Sequence, residues 1–125
     1  MMLRILGVNH VNVTVPAALE QAARQFYGAV LGLRQIPKPE GPRKNIGAWY
    51  EIGGAQLHLS IEDRVDNHAS NRHVCYQVED LASAKVQFRD SGIEVIPDEE
   101  VASGSSRFFV RDPAGNLIEI TQKTD

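Results

Sequence analysis

The sequence predicts an α+β fold made of two tandem βαβββ modules, and three observations carry that expectation. The segment His10-Val-Asn-Val-Thr-Val15 is echoed by His73-Val-Cys-Tyr-Gln-Val78. The segment Gly54-Ala-Gln-Leu-His58-Leu59 is echoed by Gly115-Asn-Leu-Ile-Glu119-Ile120. Between these paired anchors the same succession of strand, helix and hairpin signals occurs twice, which marks a tandem duplication; a solenoid would need three or more copies.

The elements follow in order. His10 to Val15 alternates apolar and polar residues and reads as a strand, stopped by Pro16. From Ala17 to Leu31, Leu19, Ala22, Ala23, Phe26, Tyr27 and Val30 recur at three/four spacing, an amphipathic helix that Gly32 terminates. Leu33 to Pro37 reads as a short strand, and residues 37–47, rich in Pro and Gly, as a loop. Ala48 to Ile52 and Gln56 to Ile61 are two strands around a Gly53-Gly54 turn. The polar residues 62–71 read as a linker. In the second module His73 to Val78 is a strand, and Asp80 is the N-cap of a helix through Asp90 with Leu81, Ala84, Val86 and Phe88 as its apolar residues. Gly92 ends that helix and Ile93 to Ile96 is a strand. After a loop over 97–106, Arg107 to Arg111 and Asn116 to Thr121 form a hairpin. The modules thus run over about 7–61 and 72–122, within a single domain of 125 residues.

Bulk properties narrow the function classes. The chain is 42% hydrophobic and 23% charged, an ordinary globular composition. A half of about 60 residues buries little apolar surface alone, so the halves are expected to pack together or against a partner. A net charge of −3 and the absence of a Lys/Arg cluster argue against nucleic acid. The single Cys75 cannot form an internal disulfide, and the apolar run in MMLRILGVNH is too short for a signal peptide. No stretch is long enough to span a membrane. The expected setting is the cytoplasm.

Side chains alternate across a strand, so each strand divides into two rows. One row is apolar: Val11, Val13 and Val15; Val74, Tyr76 and Val78; Leu57, Leu59 and Ile61; Ile118 and Ile120. The opposite rows are His10, Asn12 and Thr14; His73, Cys75 and Gln77; Gln56, His58 and Ser60; Leu117, Glu119 and Thr121. These opposite rows contain no Lys, Arg or Asp, and Glu119 is their only carboxylate. A solvated sheet face normally carries more charge, so the rows suit a partly enclosed cavity. His10, His58, His73 and Glu119 at matching places suggest a divalent metal held between the halves.

The chain resembles the vicinal oxygen chelate superfamily, the glyoxalase, bleomycin-resistance and extradiol-dioxygenase group. The resemblance runs from His10-Val-Asn-Val through Phe26-Tyr-Gly-Ala-Val-Leu-Gly-Leu33 to Arg111-Asp-Pro-Ala-Gly-Asn-Leu-Ile-Glu119-Ile120. It implies paired modules whose mixed sheets form a cup around one metal, with His10, His58, His73 and Glu119 as ligands. Imidazole and carboxylate suit Ni, Zn, Co, Mn or Fe. A substrate with two adjacent oxygens would displace water from the metal, and Glu119 would be the base.

Departures leave alternatives open. Bacterial glyoxalase I enzymes resemble this chain but use a carboxylate where His58 stands, so a mechanism relying on two carboxylates lacks its second. For glutathione only Arg34, Arg43, Lys44 and Arg107 are available as basic candidates. Extradiol dioxygenases use two His and one Glu at positions matching His10, His73 and Glu119, which would leave His58 as an acid/base residue. A metal-free module binding a small hydrophobic or aromatic ligand is the third reading. Asn12, Trp49, Cys75 and Arg107 are expected to contact the small-molecule substrate. Trp49 and Tyr50 point to opposite sides of one strand; Arg107 suits an anionic substrate or a surface ion pair equally. His68 is expected to be solvated. Members of the family usually dimerise, and a homodimer is expected here.

Overall fold

Alternating β-branched residues over His10–Val15 make the first strand, β1, and Pro16 ends it because proline has no N–H for the ladder. The computed structural model describes residues 2–39, 41, 46–63, 66–98 and 106–123. Its contacts group the chain into residues 1–65 and 66–125.

In the first unit the predicted helix is present but changes pitch along its length. Ala17–Leu19 is a 3-10 turn, Glu20–Gln25 is α-helix (α1), and Phe26–Val30 is a π-turn. Gly32 takes φ 70°, a left-handed helix stop that suits a residue without Cβ. Strands β2 (Arg34–Ile36), β3 (Ala48–Ile52) and β4 (Ala55–Ile61) follow. The sheet order is β1-β4-β3-β2, with β1 parallel to β4 and the other pairs antiparallel. A parallel pair requires a crossover, which the helical segment supplies.

The apolar row covers itself with that helical segment. Val15, Ala23, Phe26, Tyr27, Ala48, Tyr50, Leu57 and Leu59 are buried. Tyr27 meets Phe26 edge-on at 5.1 Å and Tyr50 at 6.3 Å. Gly47 joins the helix to β3: its N–H donates to Glu20 Oε2 at 2.8 Å, and the Arg24 guanidinium donates to its carbonyl. At φ 77° a Cβ on Gly47 would run into the Leu59 carbonyl.

The second unit repeats this order. Strand β5 is His73–Val78, helix α2 is Leu81–Asp90, and β6 (Ile96–Pro97), β7 (Arg107–Arg111) and β8 (Leu117–Gln122) complete it. Its sheet order is β5-β8-β7-β6, again with the first and last strands parallel. Asp80 caps α2 as expected, accepting from the Ser83 N–H at 3.2 Å. Phe88 of α2 packs edge-on against Phe108 at 5.9 Å, over buried Val110, Ile118 and Ile120. The α+β class and the twofold βαβββ order are those expected from the sequence.

Two local expectations change. The strand expected at Ile93–Ile96 forms only at Ile96–Pro97, where register with Phe109 and Phe108 supplies partners. Val86 is 54% exposed and leaves the apolar side of α2 to Leu81, Ala84, Lys85 and Phe88, with the Lys85 ammonium 5.6 Å from the centre of the Phe108 ring. Arg43, Lys44 and most of the 97–106 loop lie outside the described residues. Among the described residues no helix is long and apolar enough to cross a membrane.

Candidate functional site

Register aligns the ligand-capable residues into transverse rows. In the first unit Ile36, Trp49, His58 and Asn12 stand opposite one another across all four strands. In the second unit Ile96, Phe109, Glu119 and Cys75 do the same. His10 and His73 each sit two residues before the row's last member, on the same face. The two units therefore present equivalent frames: Trp49 corresponds to Phe109, His58 to Glu119, and Asn12 to Cys75.

Within the first unit the frame holds stacked rings. The His58 imidazole lies flat between Trp49 (3.8 Å, 4° between planes) and His10 (4.0 Å, 15°). Trp49 thus faces the ligand row while Tyr50 enters the core. His58 is 8% exposed; burial, then electrostatic repulsion from His10 and Lys38, hold its pKa below the usual imidazole value. Its Nε2 meets Gln56 Oε1 at 2.9 Å, and an amide oxygen only accepts, so Nε2 carries the proton and the neutral ring keeps its lone pair on Nδ1. His10 has the opposite tautomer, because Nδ1 donates to Asn9 Oδ1 at 2.8 Å. Asn12 donates from Nδ2 to Ser60 Oγ at 2.9 Å.

Ionic contacts dominate the second unit. His73 Nδ1 donates to the Asn71 carbonyl at 2.9 Å, the same tautomer as His10. Its Nε2 lies 3.1 Å from Glu119 Oε1. With the Nδ1 proton committed to Asn71, the neutral ring turns a lone pair toward a carboxylate oxygen, a contact that calls for a proton or another cation. Arg107 Nη1 is 3.6 Å from Glu119 Oε2, and its Nε donates to Asp98 Oδ2 at 2.7 Å. The guanidinium also lies over the Phe109 ring at 5.4 Å. Desolvation, then the Glu119 charge and a hydrogen bond to that carboxylate, push the Cys75 thiol up to about 11, against a smaller opposing effect of Arg107. Cys75 is therefore a protonated donor at neutral pH.

Metal-ligand chemistry fits these donors. Ligands about 2.1 Å from one ion and at right angles stand about 3 Å apart, which matches the His73–Glu119 separation. The hydrogen bonds to Asn9 and to the Asn71 carbonyl use Nδ1 of His10 and His73, which makes Nε2 the atom each ring could offer to a metal. Within either unit, among the described residues, no group of three or more His, Cys, Asp or Glu is gathered. Each unit by itself brings one pair together.

Gln56, Asn9 and Asp98 were not singled out in the sequence. Gln56 was visible as a member of the His58 row, two residues away. Asp98 lies outside every strand pattern and gave no signal. The specific turn before Glu119 proves structural: buried Asp112 accepts from the Ala114 and Asn116 N–H groups, each at 2.9 Å, and from Asn116 Nδ2 at 2.8 Å. Asn67, also buried, donates to the Ala114 carbonyl at 3.3 Å. His68 is solvent-exposed as expected, but its ring also lies against Gly115 of this turn, where φ is 89°.

Comparison with solved structures places the fold. A glyoxalase family protein from Bacillus anthracis is 36% identical over 99% of this chain and 100% of its own, with a TM-score of 0.86. Lactoylglutathione lyase from Agrobacterium tumefaciens is 22% identical, with 94% of each chain covered and a TM-score of 0.72. An antibiotic binding protein from a Streptomyces species is 18% identical over 98% of this chain and 100% of its own, at a TM-score of 0.71. No curated protein matches the chain. Residues 7–120 match the family model, and the chain belongs to the Glyoxalase/Bleomycin resistance protein/Dioxygenase superfamily.

Proposed function

We propose that the protein is a metal-dependent enzyme of glyoxalase type, a lyase or isomerase acting on a small substrate with two vicinal oxygens. His10, His58, His73 and Glu119 would hold one divalent ion. When bound, the ion would act as a Lewis acid toward those oxygens. The observation that carries the reading is the His73 Nε2–Glu119 Oε1 contact of 3.1 Å, two ligand-capable atoms at the separation of cis ligands on one ion. Glu119 would take the substrate's C–H proton on a carboxylate oxygen. Arg107, held by Asp98, would hold that carboxylate in place and face an anionic substrate group. Asn12 and Trp49 would line the other half, and Cys75 would donate its S–H without acting as a nucleophile. A cytoplasmic homodimer is part of this reading, in keeping with the single cysteine and the small modules.

One observation favours a second reading. His10 and His73 both donate from Nδ1, to Asn9 and to the Asn71 carbonyl, whereas His58 donates from Nε2, to Gln56. That difference supports a three-ligand set of His10, His73 and Glu119, suited to Fe(II) and an extradiol-type dioxygenase, with His58 as a proton donor.

Metal content of untagged protein purified without chelator tests both. About one divalent ion per chain is expected, with far less in His10→Ala and Glu119→Ala. Iron would select the dioxygenase; Ni, Zn, Co or Mn would select the lyase or isomerase. No metal after reloading with each ion would overturn both and leave a metal-free binding module.

A further inference from the structure

A second polar row crosses the ligand-bearing face of the first unit. Register sets Arg34 opposite Glu51, Glu51 opposite Gln56, and Gln56 opposite His10. Residues in register on neighbouring strands project to the same side of a sheet. Beside this row lies a cavity of about 310 Å³ lined by Asn9, Arg34, Glu51, Gln56 and the Gly53–Gly54 turn. That volume is at the small end of ligand pockets.

Three features make the cavity more than a surface dent. First, two of its walls hold the imidazoles: Asn9 accepts from His10, and Gln56 accepts from His58. Second, Arg34 and Glu51 set one cation beside one anion at its edge. Their side chains are 73% and 43% exposed, so the pair contributes little net stability and each member can turn to an incoming opposite charge. Third, nothing lies within 4 Å of where a Cβ on Gly53 or Gly54 would stand, so the turn leaves the mouth open.

We propose that this cavity binds the zwitterionic end of an amino-acid-like substrate, its carboxylate on Arg34 and its ammonium on Glu51. A phosphate dianion would meet the repulsion of Glu51, and an apolar group would strip water from the exposed Arg34–Glu51 pair and offer no hydrogen bond in return. Ligand in the cavity contacts the two residues that orient His10 and His58, so occupancy reaches the imidazoles. Assigning the cavity to the distal end of a metal-bound substrate rests on the function proposed above; the binding itself does not.

Trp49 is the chain's one tryptophan and stacks on His58, which Gln56 holds. Its fluorescence in chelator-treated protein therefore reports the cavity without metal. Titration with L-alanine is expected to give a saturable change. Propionate and ethylamine, each lacking one charge, should bind at least about tenfold more weakly, as expected for loss of a hydrogen bond to a charged group. Arg34→Gln and Glu51→Gln should both abolish the alanine response, with circular dichroism confirming the fold. Saturable shifts of the Gly53 and Gly54 amides in nitrogen–proton correlation spectra supply the second readout. No saturable response to alanine, equal binding of propionate, or a response retained in both variants would overturn the proposal. Because metal is absent throughout, such a failure leaves the metal-content test above standing on its own.

Discussion

The first unit surrounds its row with flat rings, the second with charges. His58 is sandwiched between Trp49 and His10, neutral and nearly inaccessible. Glu119, at the equivalent place, sits among Arg107, His73 and Cys75. Yet the strand order and register beneath the two are the same. The apolar row under the helix sets the frame, because shifting it by one residue would turn the core outward. The opposite row bears no such constraint, so one frame carries an aromatic half and an ionic half.

Exchanging the central residues should give the largest effect. Glu119→Gln removes a charged donor and is expected to lower metal affinity by more than about a hundredfold, the upper range for losing a mere outer-shell partner. His58→Gln, which leaves His10 and the stack's neutral character, should lose less. Competition against a chelating dye measures both. A His58→Gln loss within about tenfold would put His58 outside the ligand set, and equal losses would make the two halves chemically equivalent.

Next come two glycines, one per unit, each at positive φ. Gly47→Ala drives a Cβ into the Leu59 carbonyl, which the β3–β4 ladder holds. Gly115→Ala meets the exposed His68 ring, which can rotate away. Both carry the left-handed penalty of about 1–2 kcal/mol. Urea denaturation should show Gly47→Ala as the costlier by about 1 kcal/mol or more, the usual scale of overpacking. Adding His68→Ala should recover part of the Gly115→Ala loss and none of the other. The reverse ranking would show the His68 ring to be fixed.

Smallest is the effect on the thiol. With Cys75 raised to about 11, its alkylation by iodoacetamide should keep accelerating well past the pH at which an ordinary thiol levels off. The sign follows from the neutral form being favoured by desolvation and by the Glu119 anion. Glu119→Gln should therefore shift the rate profile to lower pH, without moving it fully to the free-thiol position because the desolvation persists. An unshifted wild-type profile would mean that neither desolvation nor the Glu119 charge acts on the Cys75 thiol.

Much of this was legible in the chain. The alternation of His10–Val15 and His73–Val78 marked both first strands to the residue, and Asp80 and Gly32 marked helix ends, because strand period, capping and positive φ are local effects. The family segment Asp112-Pro-Ala-Gly-Asn was legible as a motif, though its work as an Asp-bracketed turn was not. Ile93–Val95 looked like strand and is not, since a strand exists only where a partner lies in register. The sequence by itself determined the duplicated frame and the faces on which His10, His58, His73 and Glu119 stand. Only tertiary structure decided that Gln56 holds His58 by Nε2, that Arg107 bridges Asp98 and Glu119, and that Trp49 covers an imidazole. Those depend on register and on the direction of single lone pairs, set by neighbours distant in the chain.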